Sequence, residues 1–227
     1  SYPTLMIISM TPAAPASIIP SGAAVAAACV SVGGDGPPLE LVCLAAAIVI
    51  GIWIVARGRP GPEVLRDAAA SLFPILYIGI PFGALAAVRF VGGRDAPLLL
   101  IWTIVVSDSA QYYTGRALGR HRLAPAISPA KTVEGAIGGL VLGSAAMTYG
   151  GLALFKGVNP WLLLATSVVV VALGMVGDLF ESLLKRSAGV KDSSTLIPGH
   201  GGVLDRIDSW LFAAPVFYVF VMYLQTS

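Results

Sequence analysis

Six stretches of this chain, at about residues 40–57, 70–90, 96–114, 135–155, 161–180 and 209–225, run for roughly twenty residues with almost no charge. A helix needs about 20 apolar residues to cross the hydrocarbon of a bilayer, and only helices and closed barrels satisfy their own backbone there. Composition carries the same constraint: 56% of the 227 residues are hydrophobic and 11% charged, where soluble domains carry about 25% charged residues. With a mean hydropathy of +0.85, too few polar side chains exist to cover an aqueous exterior. The predicted class is all-α, a polytopic transmembrane helix bundle of about six to eight spans.

A seventh apolar stretch, residues 13–32, contains Pro12, Pro15 and Pro20 at or near it, so it reads as part helix and part interfacial segment. No charged residue precedes Asp35, so the basic flank of a signal peptide is missing. Span 70–90 carries Pro74, Gly79, Pro81 and Gly83, which predicts a kinked helix packed among others. The glycines and alanines from Gly135 to Gly151 predict close helix–helix approach.

Eleven of the 14 Lys and Arg fall in three loops: Arg57, Arg59 and Arg66; Arg116, Arg120, Arg122 and Lys131; Lys185, Arg186, Lys191 and Arg206. Strict alternation of spans puts these loops on one face, which the positive-inside rule makes cytoplasmic. The net charge of +2 is too mild for a nucleic-acid surface, so no nucleic-acid partner is expected.

Seven of the 12 acids, Asp108, Glu134, Asp178, Glu181, Asp192, Asp205 and Asp208, lie at or beside the two later loops, 114–134 and 181–208. Solvated ion pairs account for Arg116, Arg120 and Arg122. They account poorly for Asp108 and Asp178, which lie near the ends of apolar spans, where a charge costs roughly 2.5–3.5 kcal/mol on insertion scales. Asp205 and Asp208 are three apart and would repel on a shared helix face unless a cation lay between them. Asp178, Glu181, Ser182 and Lys185 follow three-and-four spacing, which puts them on one stripe. Carboxylate oxygens without cysteine or clustered histidine suit magnesium better than zinc.

Two further segments bear on phosphate. Gly199-His200-Gly201-Gly202 brings backbone N–H groups where a ligand can approach closely, although such a run is also a common turn, and His200 by itself reads best as a turn hydrogen-bonder. Ser128-Pro129 reads as a helix start, with Lys131, Thr132 and Glu134 at the new N-terminus forming a candidate anion site.

Taken together, Ser182-Leu183-Leu184-Lys185-Arg186, Lys191-Asp192, Ser194, Ile197-Pro198, His200-Gly201-Gly202-Val203 and Asp205-Arg206-Ile207-Asp208 resemble the signature of the phosphatidate cytidylyltransferase (CDP-diacylglycerol synthase) family. Ser128-Pro129, Lys131-Thr132, Glu134-Gly135, Asp108 with Tyr112, Tyr113 and Gly115, and Gly177-Asp178 resemble it too. The similarity is strong from about residue 100 and weak before it. It therefore implies N-terminal membrane helices at 1–95, compact or truncated against longer bacterial members, and a catalytic membrane domain at 96–227. The implied reaction joins CTP and phosphatidic acid into CDP-diacylglycerol and pyrophosphate.

That resemblance implies a division of labour. Asp178, Asp205 and Asp208, with Asp108, would hold Mg2+ and a second cation such as K+ or Mn2+. Lys185, Arg186 and Lys191 would hold phosphate oxygens, with Asp192 and His200 also placed in the catalytic set. Ser128, Lys131, Thr132, Glu134, Gly201, Gly202 and Arg206 would meet the substrates. A homodimer in the inner cell membrane, with its polar site facing the cytoplasm, is implied as well. Rival readings are a CTP-dependent polyprenol or phytol kinase, an ether-lipid cytidylyltransferase, and an ion-coupled transporter. The transporter would show inverted repeats, and none is seen. A CDP-alcohol phosphotransferase would need a D-G-x2-A-R run, which the sequence lacks.

Overall fold

The computed structural model describes residues 38–57, 60–61, 63–194 and 202–226. The expected segment at 13–32 lies outside them, as do His200 and Gly201. In chain order the elements are α1 (Leu39–Arg57), α2 (Glu63–Pro74), a π-helical turn (Ile75–Gly79) and α3 (Ile80–Val91). Then come α4 (Asp95–Leu118), β1 (Arg122–Ala124), β2 (Ser128–Thr132), α5 (Val133–Leu154), α6 (Pro160–Ser187) and α7 (Leu204–Thr226). Among the described residues five helical stretches are long and apolar enough to cross a membrane: Leu39–Ala56, Glu63–Val91, Val133–Leu154, Pro160–Ser187 and Leu204–Thr226. The protein is an all-α, multi-pass membrane protein.

The described residues form two compact units, one from residues 38–87 with 193–194 and 202–203, the other from residues 88–192 with 204–226. In the first, α1 packs on α2. Val42, Ala46 and Ile50, four residues apart, are buried, while Leu41, Leu44, Ile48, Ile52 and Val55 stay exposed. One stripe faces protein and the rest is apolar surface suited to lipid. The kink expected in the second span appears as the π-helical turn, and Pro81 explains it. Proline has no N–H to return to the Tyr77 carbonyl, and just before it the Ile80 N–H bonds Ile75 O, five residues back.

In the second unit α4 packs most extensively on α5, α6 on α7, and α5 on α6. Leu100, Ile104, Met147, Leu163, Val170, Val171, Ala213, Ala214 and Phe217 make its core. Tyr149, Trp161 and Tyr223 are exposed near the ends of α5, α6 and α7 remote from the β-hairpin, where an aromatic belt at a membrane–water interface would sit. Gly135 lets α5 touch α4, since a Cβ there would lie 2.7 Å from the Gln111 carbonyl oxygen. Gly177 does the same for α6 and α7, where the obstruction is the Asp208 carbonyl oxygen, also at 2.7 Å. The close approach expected of the glycines and alanines from Gly135 is present at the α4–α5 seam.

α4 is 24 residues long but is not among the five apolar spans, because its second half contains Ser107, Asp108, Ser109, Gln111, Thr114 and Arg116. The helix start expected at Ser128-Pro129 is corrected by the structure. Residues Ser128–Thr132 form the second strand of an antiparallel hairpin, with Arg122 opposite Thr132 and Ala124 opposite Ser128. Extended backbone is the favoured state for a residue preceding proline. Thr132 is the true N-cap, with φ −119° and ψ 155°, and its hydroxyl accepts the Gly135 N–H at 3.1 Å.

Candidate functional site

One stripe of α4 carries Asp108, Gln111, Tyr112, Gly115 and Arg116, spaced by three and four residues so that they share a face. Facing them are Ser128, Ala130, Lys131 and Thr132 from β2, Gly135 and Ala136 from the first turn of α5, and Asp178 from α6. Together these residues line a cavity of about 480 Å3, within the range that small-molecule sites occupy. The hairpin builds one wall, and it can do so because Thr132 ends the strand and caps α5 in the same step.

Lys131 reaches into the cavity and forms an ion pair with Asp178, both side chains being partly buried. Gln111 Nε2 donates to Asp108 Oδ1 at 3.1 Å, and Arg116 Nη1 donates to the Tyr112 hydroxyl at 3.0 Å. Asp108 also interacts electrostatically with Asp178 and Lys131. The cavity therefore sets Lys131 and Arg116 against two carboxylates, with hydroxyls and an amide around them.

A second cluster lies where α6 meets α7. Lys185 Nζ is 2.6 Å from Asp205 Oδ1 and also pairs with Glu181. The Lys185 and Asp205 side chains are only 14% and 11% exposed. Asp208, 9% exposed, accepts the Ser209 N–H at 2.7 Å and interacts electrostatically with Asp178, Lys185 and Asp108. Gly177 draws the two helices together at this level, so the clusters form one field of five carboxylates, Asp108, Asp178, Glu181, Asp205 and Asp208, against Lys131 and Lys185. Among the described residues no group of three or more His, Cys, Asp or Glu is arranged to hold a metal ion.

The structure thus brings together Ser128, Lys131, Thr132, Asp108 and Asp178 around the cavity, and Lys185, Asp205 and Asp208 at the helix seam beside it. Other expected residues stand differently. Glu134 turns to the hairpin: Oε2 accepts the Arg120 and His121 N–H groups at 3.0 and 3.2 Å, and Oε1 lies 2.6 Å from His121 Nδ1. Arg186 donates to the Ile127 and Val190 carbonyls at 3.4 and 3.5 Å, tying the hairpin to the end of α6. Lys191, Asp192 and Arg206 are exposed, and Gly202 is buried.

Gln111 was not among the expected site residues, and Arg116 read as part of a solvated face, yet both line the cavity. Counting three, four, seven and eight residues on from Asp108 would have found Gln111, Tyr112, Gly115 and Arg116. Extending α4 as a helix beyond its apolar part is the signal that supplies them.

The cytidylyltransferase family model matches residues 6–224. Phosphatidate cytidylyltransferases of Staphylococcus epidermidis and Staphylococcus haemolyticus are each 39% identical to this chain over 177 residues, and that of Staphylococcus aureus strain COL is 38% identical over 180 residues. Each match covers 77% of this chain and 66% of the relative, so the chain spans just under two thirds of the length of these relatives. A match over nearly all its residues places one fact beyond the site geometry: the chain belongs to the cytidylyltransferase family.

Proposed function

We propose that the protein transfers the cytidylyl group of CTP to phosphatidic acid, giving CDP-diacylglycerol and pyrophosphate. The observation that carries this reading is the cavity of about 480 Å3 in which Lys131 faces Asp178, backed by the Lys185–Asp205 pair, in a chain of this family. The names of the staphylococcal relatives support the choice of lipid.

The chemistry asks little of a general base. A phosphate monoester has its second pKa near 6, so the lipid phosphate is already largely an oxyanion at neutral pH. One of its oxygens attacks the α-phosphorus of CTP. A new O–P bond forms, the bond from the α-phosphorus to the bridging oxygen breaks, and that electron pair leaves with pyrophosphate. The work of the protein is to bring two anions together and to stabilise the charge that departs.

Ser128, Lys131 and Thr132 meet the nucleotide phosphates at the start of α5, where the helix N-terminus favours anions. Lys185, with Arg186 and Lys191, holds phosphate oxygens, Asp192 positions a lysine, and Arg206 meets the substrates. The resemblance assigns His200, Gly201 and Gly202 to the phosphates. Glu134 serves the substrates indirectly, by bracing the hairpin that carries Lys131. Residues 96–227 form the catalytic membrane domain and residues 1–95 supply the N-terminal membrane helices.

Asp178, Asp205 and Asp208, with Asp108, would hold Mg2+, and a K+ or Mn2+ could share them. Hard carboxylate oxygens suit that ion, and magnesium commonly takes one or two protein carboxylates together with substrate phosphates. When bound, magnesium neutralises phosphate charge and orients the triphosphate. Lys131 pairs with Asp178 and Lys185 with Asp205.

The lipid enters from the inner leaflet, because withdrawing its tails from hydrocarbon costs about 0.8 kcal/mol per CH2. The site faces the cytoplasm of a homodimer in the inner cell membrane. Purified protein incubated with labelled CTP, phosphatidic acid and magnesium is expected to release pyrophosphate and form labelled CDP-diacylglycerol. Release of CDP with phosphorylation of an alcohol would identify a kinase and overturn the proposal.

A further inference from the structure

Glu181 has no place in the chemistry above, yet it is the most deeply buried acid of the second unit. It lies on α6 three residues after Asp178 and four before Lys185, at 0% exposure. Oε2 pairs with Lys185 Nζ, and Oε1 has no hydrogen-bond partner among the described residues. It does not line the cavity. A carboxylate withdrawn from water is costly unless a partner recovers what hydration is lost. Glu181 recovers it from one ammonium that it must share with Asp205 on the neighbouring helix.

We infer that Glu181 is a positioning residue for the proposed transfer, acting through Lys185. A lysine carries its charge on a flexible four-carbon stem, and little fixes where the ammonium sits. Glu181 anchors that stem along its own helix, one turn back from the charge. It also competes with Asp205 for the ammonium, so that Asp205 is not given over to Lys185 alone. Removing the negative charge at 181 frees the stem and leaves Lys185 to Asp205. The ammonium is then misplaced for phosphate, and the aspartate is blocked by it. This inference rests on the assignment of Lys185 to phosphate oxygens.

The experiment compares Glu181→Gln and Lys185→Met with the native protein in detergent, by two measurements. Steady-state kinetics of CDP-diacylglycerol formation give kcat and the KM for CTP. Brief treatment with acetic anhydride, followed by peptide mass spectrometry, gives the acetylation rate of each lysine. Charge coupling within one network is commonly worth tenfold or so, and Glu181→Gln is expected to lower kcat by about tenfold or more, with KM for CTP within about threefold. Lys185 should be acetylated faster in Glu181→Gln, while Lys131, in its own pair with Asp178, keeps the native rate. A native kcat in Glu181→Gln overturns the inference, and so does an equal rise at both lysines, which would mark general loosening. If Lys185→Met keeps native kcat, the assignment of Lys185 fails and this inference falls with it. Loss in Lys185→Met beside native kcat in Glu181→Gln sinks the inference alone.

Discussion

The aspartates differ in what surrounds them, and that decides what their loss should do. Asp178 and Asp205 each face a lysine, and Asp208 is buried with one oxygen on the Ser209 N–H. Asparagine keeps shape and hydrogen bonding but removes charge. Asp178→Asn, Asp205→Asn and Asp208→Asn are each expected to lower kcat by about a hundredfold or more, the scale on which transition-state charge stabilisation is lost, while each variant still inserts into membranes; assay of CDP-diacylglycerol checks this. Glu134 should behave otherwise. Its two oxygens hold the Arg120 and His121 N–H groups and the His121 ring, so Glu134→Ala should raise KM for CTP through a loosened hairpin, whereas Glu134→Gln, which keeps a carbonyl acceptor, should stay near native. The acids were legible in the sequence because an ionisable residue at the end of an apolar span is conspicuous. Gln111 and Arg116 were not, since neither is unusual by itself and both count only once α4 is known to continue past its apolar half.

Elements were legible in proportion to how one-sided their signals are. The expected spans 40–57, 135–155 and 209–225 match α1, α5 and α7 within a few residues, because a long apolar run has one favourable state in a bilayer. Span 161–180 continues as helix to Ser187, carrying Glu181 and Lys185 out to the polar end. The hairpin was hidden because Ser128-Pro129 is an acceptable helix start, whereas the structure caps α5 at Thr132. Strand pairing with Arg122–Ala124 decides between them, and pairing over that distance leaves no local mark. The α6–α7 seam yields a stability prediction. Gly177→Ala puts a methyl 2.7 Å from the Asp208 carbonyl oxygen, where backbone must move, and such overpacking costs about 1–3 kcal/mol. The variant should unfold at a lower temperature in detergent, and it should lose activity because Asp208 shifts with its helix.

For the whole molecule, orientation follows from charge, and the basic hairpin and the start of α7 should be reached only from the cytoplasm. Single cysteines placed at Arg120 and at Tyr149, in a background where Cys29 and Cys43 are replaced, test this with a membrane-impermeant thiol reagent. Arg120→Cys should react only in inverted vesicles, and Tyr149→Cys only in intact cells or right-side-out ones. α4 has a further consequence, for biogenesis. Its first half is hydrocarbon-like and its second half is not, so the helix alone gains little from leaving the translocon. With α5 alongside, the same polar stripe faces protein and the cavity instead of acyl chains. The two segments are best released laterally as a couple, and the residues that would perform chemistry also set the order in which the protein can be born.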